Sequence, residues 1–512
     1  MKSDNPQYPV VDLFAGPGGL GEGFSGELYN GSSGPYFKVV AAIERDEFAR
    51  QTLTIRHLVR CFDREYVPDE YYSYLAGNIL KEELLKKYKR QWEHAKSTVL
   101  KISLGEDSHD DVKRLIKQRL KKAKKWALIG GPPCQAYSLA GRSRMMGNPD
   151  FEGDERHFLY KEYLRIIIDH CPPVFVMENV KGLLSAHVNG NRVVDKIIED
   201  LSSPIKAIRK NQNGLKYRLY SFSQSGEIKG DVDPKSFVVR AEEFGVPQAR
   251  HRMFILGIRD DIDILPSTLQ KKKPPTVEQI LGSMPKVRSG VSRQKDSSSL
   301  WKEIITSVSS ADWLPSATAN ERLIKKTILL AIKEVQDSDL ERSSKVYEAP
   351  HAMREWYYDD RLKTVTSHEA RAHMVSDLHR YLFVSSYGRA LGISPKLADF
   401  PSGLLPAHKN VKDGCEGKIF ADRFRVQIKS KVSKTVTSHI SKDGHYFIHY
   451  DPGQCRSLTV REAARLQTFP DNYHFEGNRT SQYHQVGNAI PPFLAMQIAE
   501  IVKEILDGMP ED

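Results

Sequence analysis

Pro132-Pro133-Cys134-Gln135 follows the apolar run Trp126-Ala127-Leu128-Ile129 and the pair Gly130-Gly131. That order describes a buried strand, a glycine hinge, a proline-stiffened loop and a thiol held at the strand's end. Ligands of open α/β sheets bind at the carboxyl ends of strands, so a cysteine there is placed to act as a nucleophile. A buried cysteine without chemistry is the other reading of the same residue. Pro172-Pro173-Val174-Phe175-Val176-Met177-Glu178-Asn179-Val180 is a second apolar strand, and it ends in a carboxylate and an amide. In a cleft, apolar surroundings would raise the carboxyl pKa and make Glu178 a general acid; on a surface it is only a polar strand terminus. Gln248-Ala249-Arg250-His251-Arg252 leads into the strand Met253–Gly257. Strand spacing puts Arg250 and Arg252 on one face, where two guanidinium groups could hold a phosphate and a carbonyl oxygen together.

The elements that must position these groups read as a parallel sheet. Near the N-terminus, Val10–Leu13 is a short apolar strand, and Phe14-Ala15-Gly16-Pro17-Gly18-Gly19 is a glycine-rich turn into a helix. Such a turn brings backbone close to a ligand and offers free N–H groups, although glycines alone specify no ligand. No Lys-Ser/Thr follows, which argues against a P-loop. The next apolar run, Val39–Ile43, ends in Glu44, at the spacing of a ribose-binding carboxylate in a βαβ unit. Up to residue 260 apolar strands alternate with helical stretches, the pattern of a sheet covered on both faces.

These segments, in this order, resemble the DNA (cytosine-5) methyltransferases of the bacterial restriction-modification type. The resemblance runs through Asp12–Gly19, Glu44, Gly77-Asn78-Ile79, Pro132–Gln135, Glu178–Val180 and Gln248–Arg252. It resumes at Arg456–Asp471 and closes with Tyr483–Pro492, leaving a variable stretch from about 261 to 430. It implies an α/β fold: a Rossmann-like S-adenosylmethionine-dependent catalytic domain, with a smaller mixed target-recognition domain inserted before the C-terminal motifs. The implied division is 1–260 for catalysis and cofactor (with a charged helical insert at 81–125), 261–455 for target recognition, and 456–512 returning to the catalytic domain.

The resemblance also assigns roles. Cytosine carbon 5 is a poor nucleophile until a thiolate adds at carbon 6, so Cys134 becomes the attacking group. Glu178 would protonate or hydrogen-bond ring N3, Arg252 would support the carbonyl oxygen, Arg250 would contact phosphate or brace the site, and Asn179 would orient the loop. S-adenosyl-L-methionine would be held by Asp12, Phe14, Gly16, Gly18, Gly19, Glu44, Asn78, Ile79, Asn488 and Ala489. The target base must be flipped out of duplex DNA. Three departures from the family pattern stand out: Ala136-Tyr137-Ser138 after Gln135, Arg45 where an apolar residue often covers the adenine, and Asn78 in place of a frequent Asp. The loop Ser138–Asn148, with Arg142 and Arg144, suits a lid over DNA. An RNA cytosine-5 methyltransferase on the same scaffold is the alternative enzyme, which the long recognition region disfavours. A catalytically silent DNA-binding relative is the alternative outside enzymes, which intact Cys134, Glu178, Arg250 and Arg252 disfavour.

Composition agrees without identifying a substrate. The chain has 512 residues, 40% hydrophobic and 28% charged, with a net charge of +11. Residues 81–125, a crossover between the Asn78 strand and the Cys134 strand, carry 15 Lys/Arg against 7 Asp/Glu and read as two charged amphipathic helices broken near Gly105, a solvated face or a DNA-backbone contact. The five cysteines (61, 134, 171, 415 and 455) are scattered, as expected of a reducing cytosol, and no spacing suggests a metal. No run of apolar residues approaches a membrane span and Met1–Asn5 lacks a signal pattern, so a cytoplasmic protein is expected. Base flipping needs one catalytic cleft, which makes a monomer the default, and the resemblance implies work on the chromosome with a paired restriction endonuclease as functional partner. In the recognition region Lys363–His368 and Lys434–His439 repeat one hexapeptide, and its alternation suggests two strands. Arg361–His449 reads as short β-branched runs and turns, and helices are expected at Asn320–Gln336 and Phe493–Leu506. Arg371, His373, His379, Arg380, Arg389, Arg423 and Arg425 are candidate base or phosphate contacts.

Overall fold

The computed structural model describes residues 7–26, 35–133, 159–188, 191–208, 214–227, 233–406, 411, 415–416 and 423–511. Cys134, Gln135, Ala136–Ser138, Arg142, Arg144 and the rest of the Ser138–Asn148 loop lie outside the described residues. The chain opens with β1 (Tyr8–Leu13), α1 (Gly19–Ser25), β2 (Phe37–Ile43), α2 (Glu47–Val59), α3 (Asp69–Ala76), α4 (Lys81–Lys87) and α5 (Lys89–Thr98). Then come β3 (Val99–Leu100), α6 (His109–Leu120), β4 (Ala127–Gly130), α7 (Leu159–His170), β5 (Val174–Val180) and α8 (Val193–Ser202). The sheet is completed by β6 (Tyr217–Tyr220), β7 (Val238–Arg240) and β8 (His251–Arg259).

The strand order is β3-β2-β1-β4-β5-β8-β6, with β7 beside the start of β8. The first five strands are parallel, and β8 runs antiparallel to both β5 and β6. Helices cover both faces, which is why the central strands are continuously apolar rather than alternating. Val10, Ile129 and Val176 point into one core with α1 and the C-terminal helix, while Val11, Leu128 and Phe175 point into the other with α6, α7 and α8. Strand order reverses at β1, so the crevice outside the carboxyl ends of β1 and β4 is the natural ligand position.

Beyond the sheet lie α9 (Ser298–Ser307), α10 (Ala319–Gln336), α11 (Val375–Leu391), α12 (Val460–Leu466), α13 (Arg479–Asn488) and α14 (Pro492–Asp507). One hydrophobic cluster is built only from residues 291–455, with Trp301, Ile328, Tyr381 and Leu382 among its buried members. Another joins Val277–Met284, Val365 and Val436 to Leu458–Ala489. Helix α14 returns to the sheet and packs along α1 so closely that a Cβ on Gly23 would stand 2.4 Å from Ala495. No helix among the described residues is long and apolar enough to cross a membrane.

Three expectations need correction. Asn78 is not on a strand: it follows α3, its N–H closing that helix on the Ser73 carbonyl. The strand beside β2 is β3, inside the charged stretch, and its Val99 pairs with Ala42. That stretch therefore holds α4, α5, β3 and α6 instead of two helices around Gly105. The second correction is α11, 17 residues long where runs and turns were expected. It is buried on nearly every side, so its sequence shows no amphipathic stripe. The third is the hexapeptide. Among its residues only Lys434 lies in a strand, Ser433–Lys434 pairing with Gln248–Ala249, and Ser367 takes φ +56°.

Candidate active site

The turn after β1 is held open by glycine and clamped from several sides. Gly16 and Gly18 take φ +57° and +94°, a left-handed region that suits glycine. A Cβ on Gly16 would meet nothing within 4 Å, so the outer side of the turn is free for a group laid against the backbone. Gly16 N–H donates to Glu44 Oε2 and Asp46 N–H to Glu44 Oε1, both at 2.7 Å. Glu44 thus sits at the end of β2 with both oxygens engaged and with lone pairs to spare, and burial raises its pKa. Gly19 is glycine for a different reason: a Cβ there would stand 2.3 Å from the Ile490 carbonyl oxygen. The structure therefore brings Gly16–Gly19 together with the Asn488–Ile490 segment that follows α13. Asn488 is exposed, within 3.3 Å of His484 Nδ1, and Ala489 is buried.

Phe14 begins the turn at φ +55° and is half-buried. Asp12 lies beneath α1, 1% exposed, and burial pushes its carboxyl up to about 8. Gly21 makes room for it, since a Cβ would come within 3.0 Å of Asp12 Oδ2. Asn78 and Ile79 are not brought to this crevice. Ile79 packs in the cluster formed by α2, α3 and α5, and the position level with Glu44 belongs to Leu100, whose carbonyl accepts the Glu44 N–H at 3.1 Å.

One strand across, the end of β4 meets the end of β5. Glu178 Oε2 would lie 2.7 Å from a Cβ on Gly131, so the carboxyl leans over the glycine that begins the Pro132-Pro133 loop. Arg252 Nε stands 3.1 Å from Glu178 Oε1, with 17% and 12% of the two side chains exposed. This contact follows from register, because β8 runs antiparallel to β5 and sets Arg252 opposite Val180. Burial raises the Glu178 pKa and the two nearby arginines oppose it. Asn179 Nδ2 donates to the Pro132 carbonyl at 3.2 Å, and its own Oδ1 accepts from the Val180 N–H at 2.8 Å. The arrangement places a protonatable carboxyl, an arginine and a braced loop at one crevice, with position 134 next in the chain.

Arg250 does not share the face of Arg252. It sits between two strands, 1% exposed, donating to the Val436 carbonyl at 2.7 Å and the Gly487 carbonyl at 3.2 Å. That geometry suits bracing and leaves no surface for a phosphate. Gln248 works beside it: its Nε2 donates to Gln467 Oε1 at 2.9 Å and its Oε1 accepts from the Val436 N–H at 2.8 Å. Of the recognition-region candidates, Arg371 donates to the Ile440 and Lys442 carbonyls and lies over the Tyr483 ring. His373 and Tyr381 are hydrogen-bonded in the interior, Arg380 holds Asp377 and the Leu404 carbonyl, and Arg389 pairs with Glu334. His379 is half-buried, its Nε2 3.3 Å from the Ile304 carbonyl oxygen, and Arg423 and Arg425 are half-buried.

Sequence reasoning missed the depth of the C-terminal segment. Arg456 and Glu462 form a two-point ion pair at 2.6 Å, both 1% exposed, and Arg465 and Asp471 form another at 2.9 Å. The charges in and around a helix seven residues long, Arg456, Arg461, Glu462, Arg465 and Asp471, were the available signal, since so many ionic groups in and beside so short a buried helix must pair.

A sheet of this strand order, with a glycine turn and a carboxylate at the ends of its first two strands, defines the fold of S-adenosylmethionine-dependent methyltransferases. The model of the C-5 cytosine-specific DNA methylases matches residues 81–205 and 231–504. The chain is 31% identical over 522 residues to Type II methyltransferase M.Bpa9945I of Bacillus paralicheniformis, covering 98% of this chain and 99% of that one. It is 27% identical to Type II methyltransferase M.DdeI of Desulfomicrobium norvegicum, covering 96% and 87%. Among solved structures, a putative DNA modification methyltransferase encoded within an E. coli prophage superposes with TM-score 0.50 at 18% identity, covering 98% of this chain and all of that one. The protein belongs to the C-5 cytosine-specific DNA methylase family and is a DNA (cytosine-5-)-methyltransferase.

Proposed function

We propose that this enzyme methylates carbon 5 of cytosine within a specific double-stranded sequence by way of a covalent Cys134 adduct, as the modification partner of a restriction endonuclease. The observation that supports the mechanism is the convergence of Glu178, Arg252 and the Asn179-braced Pro132 carbonyl at one crevice, two residues before Cys134 in the sequence. S-adenosylmethionine, when bound, supplies an electrophilic methyl group on a sulfonium. The residues present fit it: Gly16 offers open backbone, Glu44 can accept from a ribose, and Gly18, Gly19, Phe14, Asn488 and Ala489 surround the same turn. Asp12 supports that turn from below. The wall beyond Glu44 is assigned to Lys101–Ser103 at the end of β3 in place of Asn78 and Ile79.

Cys134, as thiolate, forms a bond to carbon 6 of a flipped-out cytosine, and the ring electrons move toward carbon 5. Glu178, its proton favoured by burial, donates at N3 where negative charge develops. Arg252 supports the carbonyl oxygen and keeps Glu178 oriented. Once carbon 5 carries the methyl group, a base takes its hydrogen, the carbon 6–sulfur bond breaks, the thiolate returns and the N3 proton goes back to the Glu178 carboxylate. Flipping the base costs a few kcal/mol, supplied by contacts from the 261–455 segment, which we assign as the target-recognition domain. One cleft suffices for the reaction, so the enzyme acts as a monomer, in the cytoplasm with the chromosome. Bisulfite sequencing of DNA from a methylation-free host expressing the chain tests this. Protected cytosines confined to one sequence context support it, and full conversion of every cytosine contradicts it.

A further inference from the structure

The cofactor turn is also gripped from the far end of the chain. Tyr473, 0% exposed, donates its hydroxyl hydrogen to the Pro17 carbonyl, and that oxygen would stand 3.0 Å from a Cβ on Gly18. The ring is held by Arg56, whose guanidinium carbon lies 5.0 Å from the ring centroid. Arg56 is fixed in turn by Glu22 of α1 at 2.9 Å through Nε, and Arg60 reaches the same carboxylate. Arg56 Nη1 also donates to Asn472 Oδ1 at 3.1 Å, while Asn472 Nδ2 donates to Asp359 Oδ2 at 2.7 Å. Asp359 accepts from the Tyr72 hydroxyl too, at 2.7 Å, and it lies in the segment assigned to target recognition.

We propose that Tyr473 is a positioning residue for the Pro17–Gly18 turn, and that Asp359, through Asn472 and Arg56, anchors this strut to the recognition segment. The physical reason is local. Three residues of the turn, Phe14, Gly16 and Gly18, carry positive φ, so its shape depends on contacts around it, and Tyr473 supplies the one on the Pro17 carbonyl. Removing that hydroxyl leaves a buried carbonyl without its donor and frees the turn to relax. Asp359 reaches no part of the turn itself; its effect passes through side chains that each touch the next. The inference rests on the reading of Gly16–Gly19 as the cofactor turn.

Calorimetric titration of the full chain with S-adenosylhomocysteine tests it, using Tyr473→Phe, Asp359→Ala and a control, Tyr483→Phe. Tyr483 is a comparably buried tyrosine whose hydroxyl donates to the Leu458 carbonyl at 2.6 Å and not to the turn. Tyr473→Phe should weaken binding about 3–10-fold, the worth of one hydrogen bond. Duplex affinity should stay within about twofold, and KM for S-adenosylmethionine should rise with kcat at saturation retained. Asp359→Ala should move the same way by a smaller factor, and Tyr483→Phe should lower the melting temperature without weakening the titration. Unchanged binding in Tyr473→Phe, or an equal loss in Tyr483→Phe, overturns the proposal. Loss in Tyr473→Phe with none in Asp359→Ala removes the anchor and keeps the positioning role. If the unaltered chain itself takes up no S-adenosylhomocysteine, the cofactor reading fails instead.

Discussion

The proposed mechanism sets Glu178 a demand that few surface carboxyls meet: to hold a proton, or share one, near neutral pH. Burial between β4 and β5 raises its pKa, and Arg252 at 3.1 Å limits the rise while fixing its direction. For an acid whose folded pKa is raised, the protonated form is favoured at low pH and lost as pH climbs through that value. Turnover with saturating cofactor should therefore fall on the alkaline side through the titration of Glu178. Glu178→Gln should reduce turnover by about 10²–10⁴-fold while leaving S-adenosylhomocysteine binding intact, and the residual rate should lose that alkaline limb. A pH–rate profile of both proteins measures it. Glu178 was legible in the sequence because an apolar run ending in a carboxylate is a plain local signal. The divergence of Arg250 from Arg252 was not, since the chain is interrupted between Ala249 and His251 and leaves strand spacing at that point.

At the scale of elements, the strands β1, β4, β5 and β8 and the helices α10 and α14 follow from their apolar patterns. What escaped were elements whose identity depends on partners. Strand β3 is two residues long and pairs with β2 only after four helices intervene. Helix α11 mixes apolar and polar residues around its circumference because neighbours cover it on nearly every side. Helix α12 shows the cost of such burial. Thr459 and Glu462 cap it reciprocally, and Glu462 also binds Arg456. Arg456→Ala would leave that carboxylate buried without its cation, and should destabilise the chain by about 3–5 kcal/mol in denaturant titration. Gly487→Ala should also be severe, since a Cβ there would fall 2.2 Å from the Ser438 N atom and separate the 437–438 segment from α13. A drop in melting temperature, with loss of DNA binding, is the expected outcome.

Across the whole molecule, charge is distributed by function. Lys121, Lys122 and Lys125 precede the amino end of β4, whereas Glu178 and the glycine turn lie at carboxyl ends, so these three lysines stand at the opposite end of the sheet strands. Replacing these three lysines by glutamine should leave the salt dependence of duplex binding unchanged, because cations that touch no phosphate release no counterions. The end of the most basic segment thus lies away from the crevice, while β3 within the same segment reaches it. Buried acids near the cofactor turn give stability two opposite pH responses. Burial opposes ionisation of Glu22, but Arg56 and Arg60 outweigh it and hold the carboxyl down to about 2. Its contribution is present above the ordinary value of 4.5 and fades as pH falls toward 2. Asp12, raised by burial from 3.8 to about 8, contributes fully below 3.8 and loses that contribution as pH rises toward 8. Thermal melts of Asp12→Asn should accordingly show a flatter alkaline decline than the unaltered chain.

The central claim, a sulfur that bonds reversibly to cytosine, meets its most direct test in a duplex carrying 5-fluorocytosine at the target position. Fluorine cannot leave as a proton would, so elimination stalls and the adduct persists. With S-adenosylmethionine present, a denaturation-resistant complex should form, and peptide mass spectrometry should place the methylated base on Cys134. Absence of that complex from a preparation that methylates the ordinary duplex, or attachment at any other residue, would contradict the account.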